Sequence, residues 1–426
     1  MSRASIAPVR RFCSAIAEAS SPKSSSKRRR KPLSPDPYTP PPPPESFPPY
    51  EELDCFRFEL VHQSSRSAAR VGRVHTPHGV IDTPGFVAVA TNAALKAVDH
   101  RPLGDLLQLI FCNTYHLLLH PGPQVIKEAG GLHSFMQRDR PIITDSGGFQ
   151  VFSLAHGSVT DELNMKKSRA RDESLLLEVS ENGATFRSYR DGKRLTLTPE
   201  SSVDAQKAYG SDIIVPLDEL PPYHIDREKL HRSVLLSHRW EARSLRRHLE
   251  DRRNQAMYAV VHGGIDEPMR QMSAEYLTSL PFDGYAIGGS LGKDRYELFN
   301  LLRFVVPLLP KEKPNHLLGI ADVESIQGSV PFGVDTFDSC FPTRLGRHGT
   351  LLTKRFGRVQ IRQGKWKNVF EPPDWEGGLQ GHTLAYLHHL FKAHEPIAAT
   401  LLTLHNLHFM AEFMESIRAK ILNDEI

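Results

Sequence analysis

The sequence predicts an α/β fold built on a parallel sheet, because short apolar runs alternate with longer amphipathic stretches along a chain of 426 residues. The runs lie at 142–143, 213–218, 258–262, 285–289, 317–320 and 334–338, and lead into polar residues or glycine. Amphipathic stretches such as 227–250 and 296–309 separate them as helices would. At this length a closed barrel is the strong candidate, and periodicity alone leaves a doubly wound open sheet as the alternative. In a barrel the polar residues at successive strand ends converge on one mouth, where barrel enzymes work.

Composition is that of a globular protein, with 39% apolar and 24% charged residues. No apolar run is long enough to span a bilayer, so no membrane partner is expected. The formal charge of +4 is smaller than the contribution of KRRRK at 27–31, so nucleic-acid binding has to rest on local patches. Cys13, Cys55, Cys112 and Cys340 are spaced too widely for a disulfide framework or a CxxC knuckle, which points to a reducing compartment.

The first 50 residues read as lying outside the fold. Arg3, Arg10 and Arg11 stand among serines and alanines, with no acid before Glu18, the composition of an organellar transit peptide. A mitochondrial destination leads, with plastid the alternative and a cytoplasmic location ranked below both. Residues 27–31 also fit a nuclear signal or a loose RNA contact. Prolines 40–44 read as a stiff, disordered linker, and the folded body is expected to begin near Cys55.

The run at 142–143 is followed by Asp145, Ser146, Gly147 and Gly148, and glycines there allow a close turn straight after a buried strand. Asp145 is thereby placed either for acid/base chemistry or as a cap of the next segment. A second acidic site follows in GVDTFDSCFPTRLGRHG, where Asp335 and Asp338 flank an apolar strand and Arg344 and Arg347 come soon after. Paired carboxylates about 5 Å apart let one attack a sugar carbon while the other moves a proton. Forked guanidinium donors suit phosphates or carboxylates.

These segments resemble the tRNA-guanine transglycosylase family. So, in order, do RVGRVHTPHGVIDTPGFVAVAT, FCNTYHLLLHPGP, GGLHSFMQRDRPIITDSGGFQVFSL, FRSYRDGKRLTLTPE, GSDIIVPLDELPPY, FDGYAIGGS and VDTFDSCFPTR, from about Phe56 to the C-terminus. VVHGG, AIGGSLG and LFKAHEPIAA are most similar to chlamydial-type bacterial members. The resemblance implies an eight-stranded (β/α)8 TIM barrel with insertions over 54–350, followed by a C-terminal subdomain over 351–426.

By this resemblance Asp338 is the nucleophile toward ribose C1′ and Asp145 the general acid/base, while Asp335, three residues from Asp338, is structural. Asp218 receives the guanine edge, Gly289 offers a backbone N–H, and Phe149 stacks on the base; Ser146, Gln150 and Asn113 match further pocket positions. His262 stands where a glutamine is usual, which replaces an amide by an imidazole that can titrate near neutral pH and can still donate to the base carbonyl; a satisfied barrel-core histidine is the alternative. Gly292, where bacterial members carry more bulk, implies room for queuine. Arg344 and Arg347 match the arginines that read the uridines around the wobble position. Lys354, Arg355, Arg358, Arg362, Lys365 and Lys367, with Trp366 among them, form either a phosphate grip or a solvated hairpin.

Family members carry CxCxxC and a histidine that close a structural zinc site, whereas this chain has NVFEPPDWEGGLQGHT and no cysteine after Cys340. Pro373, Trp375 and Gly378 fall near the cysteine positions, and only His405 remains as a ligand, so the zinc is expected to be lost and no cofactor is needed. His382, His388, His389 and His394 are spread around a helix rather than converging. Trp375 and Pro372–Pro373 are candidates to replace the metal by apolar packing.

The implied activity is exchange of the wobble guanine in tRNAs for Asn, Asp, His and Tyr, within a UGU triplet, for queuine or a related deazaguanine. The implied partners are the tRNA anticodon loop and a second subunit, as homodimer or heterodimer. A non-catalytic tRNA-binding subunit and a barrel enzyme acting on a small glycoside are the alternatives. Retention of the three acids argues against the first, and the PTRLGR segment against the second.

Overall fold

Glycine 85 begins the first strand of a closed ring of eight parallel strands, the element that places every candidate side chain. The computed structural model describes residues 36–150, 175–374 and 381–426, and 36–426 cluster as one unit. Strands β1 (Arg57–Gln63), β2 (Arg70–Thr76) and β3 (Gly79–Thr83) form an antiparallel sheet ahead of the barrel. The barrel strands are β4 (Gly85–Val89), β5 (Ile110–Cys112), β6 (Ile142–Thr144), β10 (Ile213–Ile214), β11 (Ala256–Val261), β12 (Gly284–Ile287), β13 (Asn315–Leu317) and β14 (Thr336–Ser339), closed by β14 pairing with β4. An inserted antiparallel sheet, β7 (Leu176–Ser180), β8 (Gly183–Arg187) and β9 (Arg194–Leu197), lies between β6 and β10. A hairpin of β15 (Thr350–Thr353) and β16 (Gly357–Gln360) follows the barrel.

The described helices are α1 (Thr114–Leu119), α2 (Pro123–Glu128), α3 (Gly131–Met136), α4 (Pro199–Tyr209), α5 (Arg227–Leu249), α6 (Glu267–Thr278), α7 (Arg295–Val305), α8 (Val323–Ser329), α9 (Phe341–Arg347), α10 (Leu384–Lys392) and α11 (Pro396–Leu422). Starts are encoded locally: Asp226, Asp266, Asp294 and Asp322 each accept a backbone N–H three residues on and cap α5 to α8. Strands β11 and β12 are buried throughout, as expected when helices cover a parallel sheet. The main core joins Met257, Ala259, Val261, Ile287, Leu317 and Phe337 of the barrel to Met410, Met414, Ile417 and Ile421 of α11. A smaller core around Leu351, Val359, Ile361, Trp366, Leu384 and Leu402 sits in the C-terminal segment. None of the described helices is long and apolar enough to cross a membrane.

Of the proline-rich stretch, the part from residue 36 is not a disordered linker but a strap on the barrel. Tyr276 donates to the Pro42 carbonyl at 2.8 Å, Arg239 to that of Thr39 at 2.6 Å, and Arg246 lies over the ring of the buried Phe47. Prolines provide carbonyls without competing N–H groups, so side chains of α5 and α6 order them. Residues 1–35 lie outside the described structure, as do 151–174, Trp375 and Gly378.

At the end of the barrel where β6 and β10 begin, Asp212 accepts from Ile142 N at 2.8 Å. His78 Nδ1 lies 2.7 Å from one of its oxygens and His133 Nε2 3.2 Å from the other, with the two rings stacked at 3.5 Å and 13°. Nearly parallel imidazoles this close cannot both direct in-plane lone pairs at one ion, so the group serves as a proton-sharing clip rather than a metal centre. The histidine bonds hold Asp212 below the usual carboxylate range against its burial.

Candidate active site

Three strand ends bring Asp145, Asp218 and Asp338 to one mouth. Asp145 follows β6, and its carboxylate accepts from Asn113 Nδ2 and, at 2.7 Å, from Thr114 N. Asn113 also caps α1, its side-chain oxygen accepting from His116 N at 3.0 Å, so helix start and acid are fixed together. Burial raises Asp145 to about 7 against the pull of these N–H groups, and the nearby charges of Asp338 and Asp218 add to it. The residue keeps partial access to the mouth, so a carboxyl raised by burial faces it.

Asp218 lies beyond β10, whose regular part is only Ile213–Ile214. Ser146 Oγ donates to its Oδ1 at 3.3 Å, and Gly148 N donates to Ser146 Oγ at 3.2 Å. Burial lifts Asp218 to about 6 in spite of the serine bond. Phe149, next in the chain, is 47% exposed. Gln150 adjoins it, at the edge of the described segment.

His262 follows β11 and is buried, with Nε2 at 3.4 Å from Glu241 Oε1 and 3.7 Å from Asp218 Oδ2. Burial, then the charge of Arg270, hold its imidazole well below the usual histidine range. Burial thus favours the neutral form of the ring that stands in place of the usual amide. Arg270 is itself completely buried and donates to the carbonyls of Gly264, Val261, Gly288 and Ser290, which fixes the turns after β11 and β12. Gly289 has φ +74°, and a Cβ there would stand 3.5 Å from His262 Nδ1. Gly292 has φ +98°, and a Cβ there would be 2.7 Å from Glu297 Cβ, so its smallness also serves the turn into α7.

Asp338 sits on β14 and is buried. Its Oδ1 accepts from Gly319 N at 2.7 Å and lies 3.1 Å from His316 Nε2. Asp335 is taken up elsewhere: Arg70 donates to both of its oxygens, at 2.9 and 2.6 Å, and Asn315 N to Oδ2 at 2.8 Å. The two acids are thus divided between a structural ion pair and the mouth.

Arg344 and Arg347 lie on α9, directly after β14, with Arg344 exposed. The basic stretch beyond is a hairpin in which Lys354, Arg355 and Arg358 pair with Glu412, Glu371 and Glu324. Those pairs draw the three cations toward acids of the same chain.

At the expected metal position, His405 is buried against the Leu352 carbonyl at 2.8 Å, with Asp374 Oδ2 at 3.4 Å. Asp374 Oδ1 accepts from Lys354 N and Arg355 N at 3.1 and 3.3 Å. One imidazole and one carboxylate already engaged with backbone N–H groups do not fit a closed four-ligand zinc site. Glu241 and His316 had no signal in the sequence, since Val260 and Asp338 lie about 20 positions from them, and Arg270 had none because its partners are backbone carbonyls, which carry no side-chain pattern.

A family model described as Queuine tRNA-ribosyltransferase matches residues 64–426. The chain is similar to the queuine tRNA-ribosyltransferase of Protochlamydia amoebophila, 56% identical over 376 residues, covering 87% of this chain and 96% of that one. It is also similar to those of Chlamydia abortus, 50% identical over 375 residues, and Chlamydia trachomatis, 48% over 377, each covering 87% of this chain and 99% of the relative. These relatives are bacterial, which overturns the expected mitochondrial destination and its plastid alternative.

Proposed function

The chain belongs to the queuine tRNA-ribosyltransferase family, and we propose that it exchanges the wobble guanine of tRNAs with GUN anticodons (Asn, Asp, His, Tyr) for queuine or a related 7-deazaguanine. It is a pentosyltransferase of the tRNA-guanine transglycosylase kind. The convergence of Asp145, Asp218 and Asp338 on one mouth carries this reading, and it favours an active enzyme over a non-catalytic subunit.

In the proposed reaction Asp338 attacks ribose C1′ as the bond to guanine breaks, and the electron pair leaves with the base. Asp145, raised by burial to about 7, gives the departing guanine its proton. The incoming base then loses its ring N–H proton to the Asp145 carboxylate and attacks C1′, and the ester bond to Asp338 breaks. Two displacements retain configuration and give ping-pong kinetics.

Asp218 and the backbone around Gly289 face the base edge, Phe149 stacks on it, and His262 presents its neutral ring to the carbonyl side. Ser146 and Gln150 complete the pocket, while Arg344 and Arg347 hold the flanking nucleotides. The Asp374–His405 contact supports a C-terminal segment that works without zinc. The test is incorporation of radiolabelled guanine into purified tRNAs: GUN-anticodon tRNAs should take up label and others should not. Absence of exchange into any tRNA would contradict the proposal.

A further inference from the structure

We propose that His316 is a positioning residue for the covalent step, holding Oδ1 of Asp338 so that Oδ2 is the oxygen presented to the sugar. The proposal rests on the reading of Asp338 as nucleophile. Strand register provides the first part: His316 of β13 pairs with Thr336 of β14, two residues before Asp338. Residues two apart on a strand share a face, so the imidazole lies along both Thr336 and Asp338. Its Nδ1 is 2.8 Å from Thr336 Oγ1 and its Nε2 3.1 Å from Asp338 Oδ1. The ring is 1% exposed and stacks near Phe111, with centroids 6.0 Å apart and planes at 18°, so it has little room to turn.

The acceptor fixes which ring nitrogen carries the proton. A carboxylate oxygen only accepts, so the 3.1 Å contact with Asp338 Oδ1 places an imidazole N–H on Nε2, aimed at Asp338. On the other side Thr336 Oγ1, which donates to the Asn315 carbonyl at 3.3 Å, lies 2.8 Å from Nδ1 and holds the ring in place. Oδ1 then receives two donors, Nε2–H and Gly319 N–H. Oδ2 has no hydrogen bond among the described residues.

A carboxylate bonded on one side only has a fixed attacking atom. As the C1′–Oδ2 bond forms and the bond to guanine breaks, Oδ1 becomes the ester carbonyl and keeps both donors. When the incoming base displaces Asp338, negative charge returns to the carboxylate and the same donors receive it. His316 gains and loses no proton in either step, and touches neither sugar nor base.

The test measures single-turnover formation of the covalent RNA adduct, together with kcat and KM for tRNA, in the full-length chain and its variants. His316→Phe should lower adduct formation and kcat by about 10²-fold, the effect of losing one donor to a developing charge, with KM changed less than about threefold. His316→Gln, which keeps a side-chain N–H at similar reach, should recover at least tenfold of that loss. Thr336→Val, which leaves the ring but removes the hydroxyl that holds its Nδ1, should also slow the adduct, and serves if the Phe variant does not fold. Adduct formation at the wild-type rate in His316→Phe or Thr336→Val, with Asp338→Asn forming none, would overturn the role of His316 alone. An adduct persisting in Asp338→Asn would overturn the nucleophile and this inference with it.

Discussion

Gly148 and Asp218 pack so closely that a methyl group on the glycine would stand 2.6 Å from Asp218 Oδ1 and 2.7 Å from its carbonyl oxygen. The loop after β6 thereby sets where the acid beyond β10 stands, although the two are 70 positions apart in the chain. Gly148→Ala should push Asp218 from its place and raise KM for guanine at least tenfold, with about 1–3 kcal/mol lost from overpacking. Guanine exchange kinetics and thermal melting report the two effects separately, and an unchanged KM would remove Asp218 from base recognition.

Asp145, raised to about 7, is required neutral in the first displacement and ionised in the second. Adduct formation should therefore fall as pH rises through about 7, while resolution of a preformed adduct by added base should rise over the same range. Asp145→Asn should lose both pH limbs and at least about 10²-fold in rate. Single-turnover pH profiles of each half-reaction check this, and limbs that survive in the Asn variant would assign the titration to another group.

The His78–Asp212–His133 clip makes stability depend on pH in a definite direction. The hydrogen bond to Asp212 raises His78 above the ordinary histidine value against its partial burial. A raised histidine contributes fully below its unfolded value and loses that contribution as pH rises through the folded one. The melting difference between wild type and His78→Gln should thus be largest near pH 6 and shrink toward pH 9. A difference that grows with pH would show that the imidazole is not charged in the folded state.

His405 and Asp374 tie α11 to the β15–β16 hairpin through the Leu352 carbonyl and the N–H groups of Lys354 and Arg355. Asp374→Ala should cost about 1–3 kcal/mol, because it removes the carboxylate that accepts from the N–H groups of Lys354 and Arg355 and lies beside the His405 ring. A chelator should leave the melting temperature of the wild type unchanged. A fall on chelation, with one equivalent of zinc in the purified protein, would contradict the hydrogen-bonded replacement.

The acids of the mouth were legible because each sits in a local pattern: Asp145 before two glycines, Asp218 before a proline pair, Asp338 after an apolar strand. Helix boundaries were legible for a similar reason, since Asp226 and Asp294 cap where the amphipathic periods begin. Other parts depend on distant partners. Glu241 stands amid the charges of α5 and reads as surface, yet it is fully buried and accepts from Val260 N at 2.9 Å. His316 reads as one polar residue in an apolar run, and only its pairing with Thr336 puts it beside Asp338. The two-residue strand β10 is too short to show a period, and the strap at 36–53 is ordered by arginines and a tyrosine some 200 positions on.

The central claim is that Asp338 carries the ribosyl group. The direct measurement is denaturing electrophoresis of the protein incubated with a GUN-anticodon tRNA, followed by mass mapping of the attached peptide. The wild type should give an RNA adduct on Asp338 that added 7-deazaguanine base discharges, and Asp338→Asn should bind the tRNA but give none. An undiminished adduct in Asp338→Asn, or attachment at any other residue, would contradict the account.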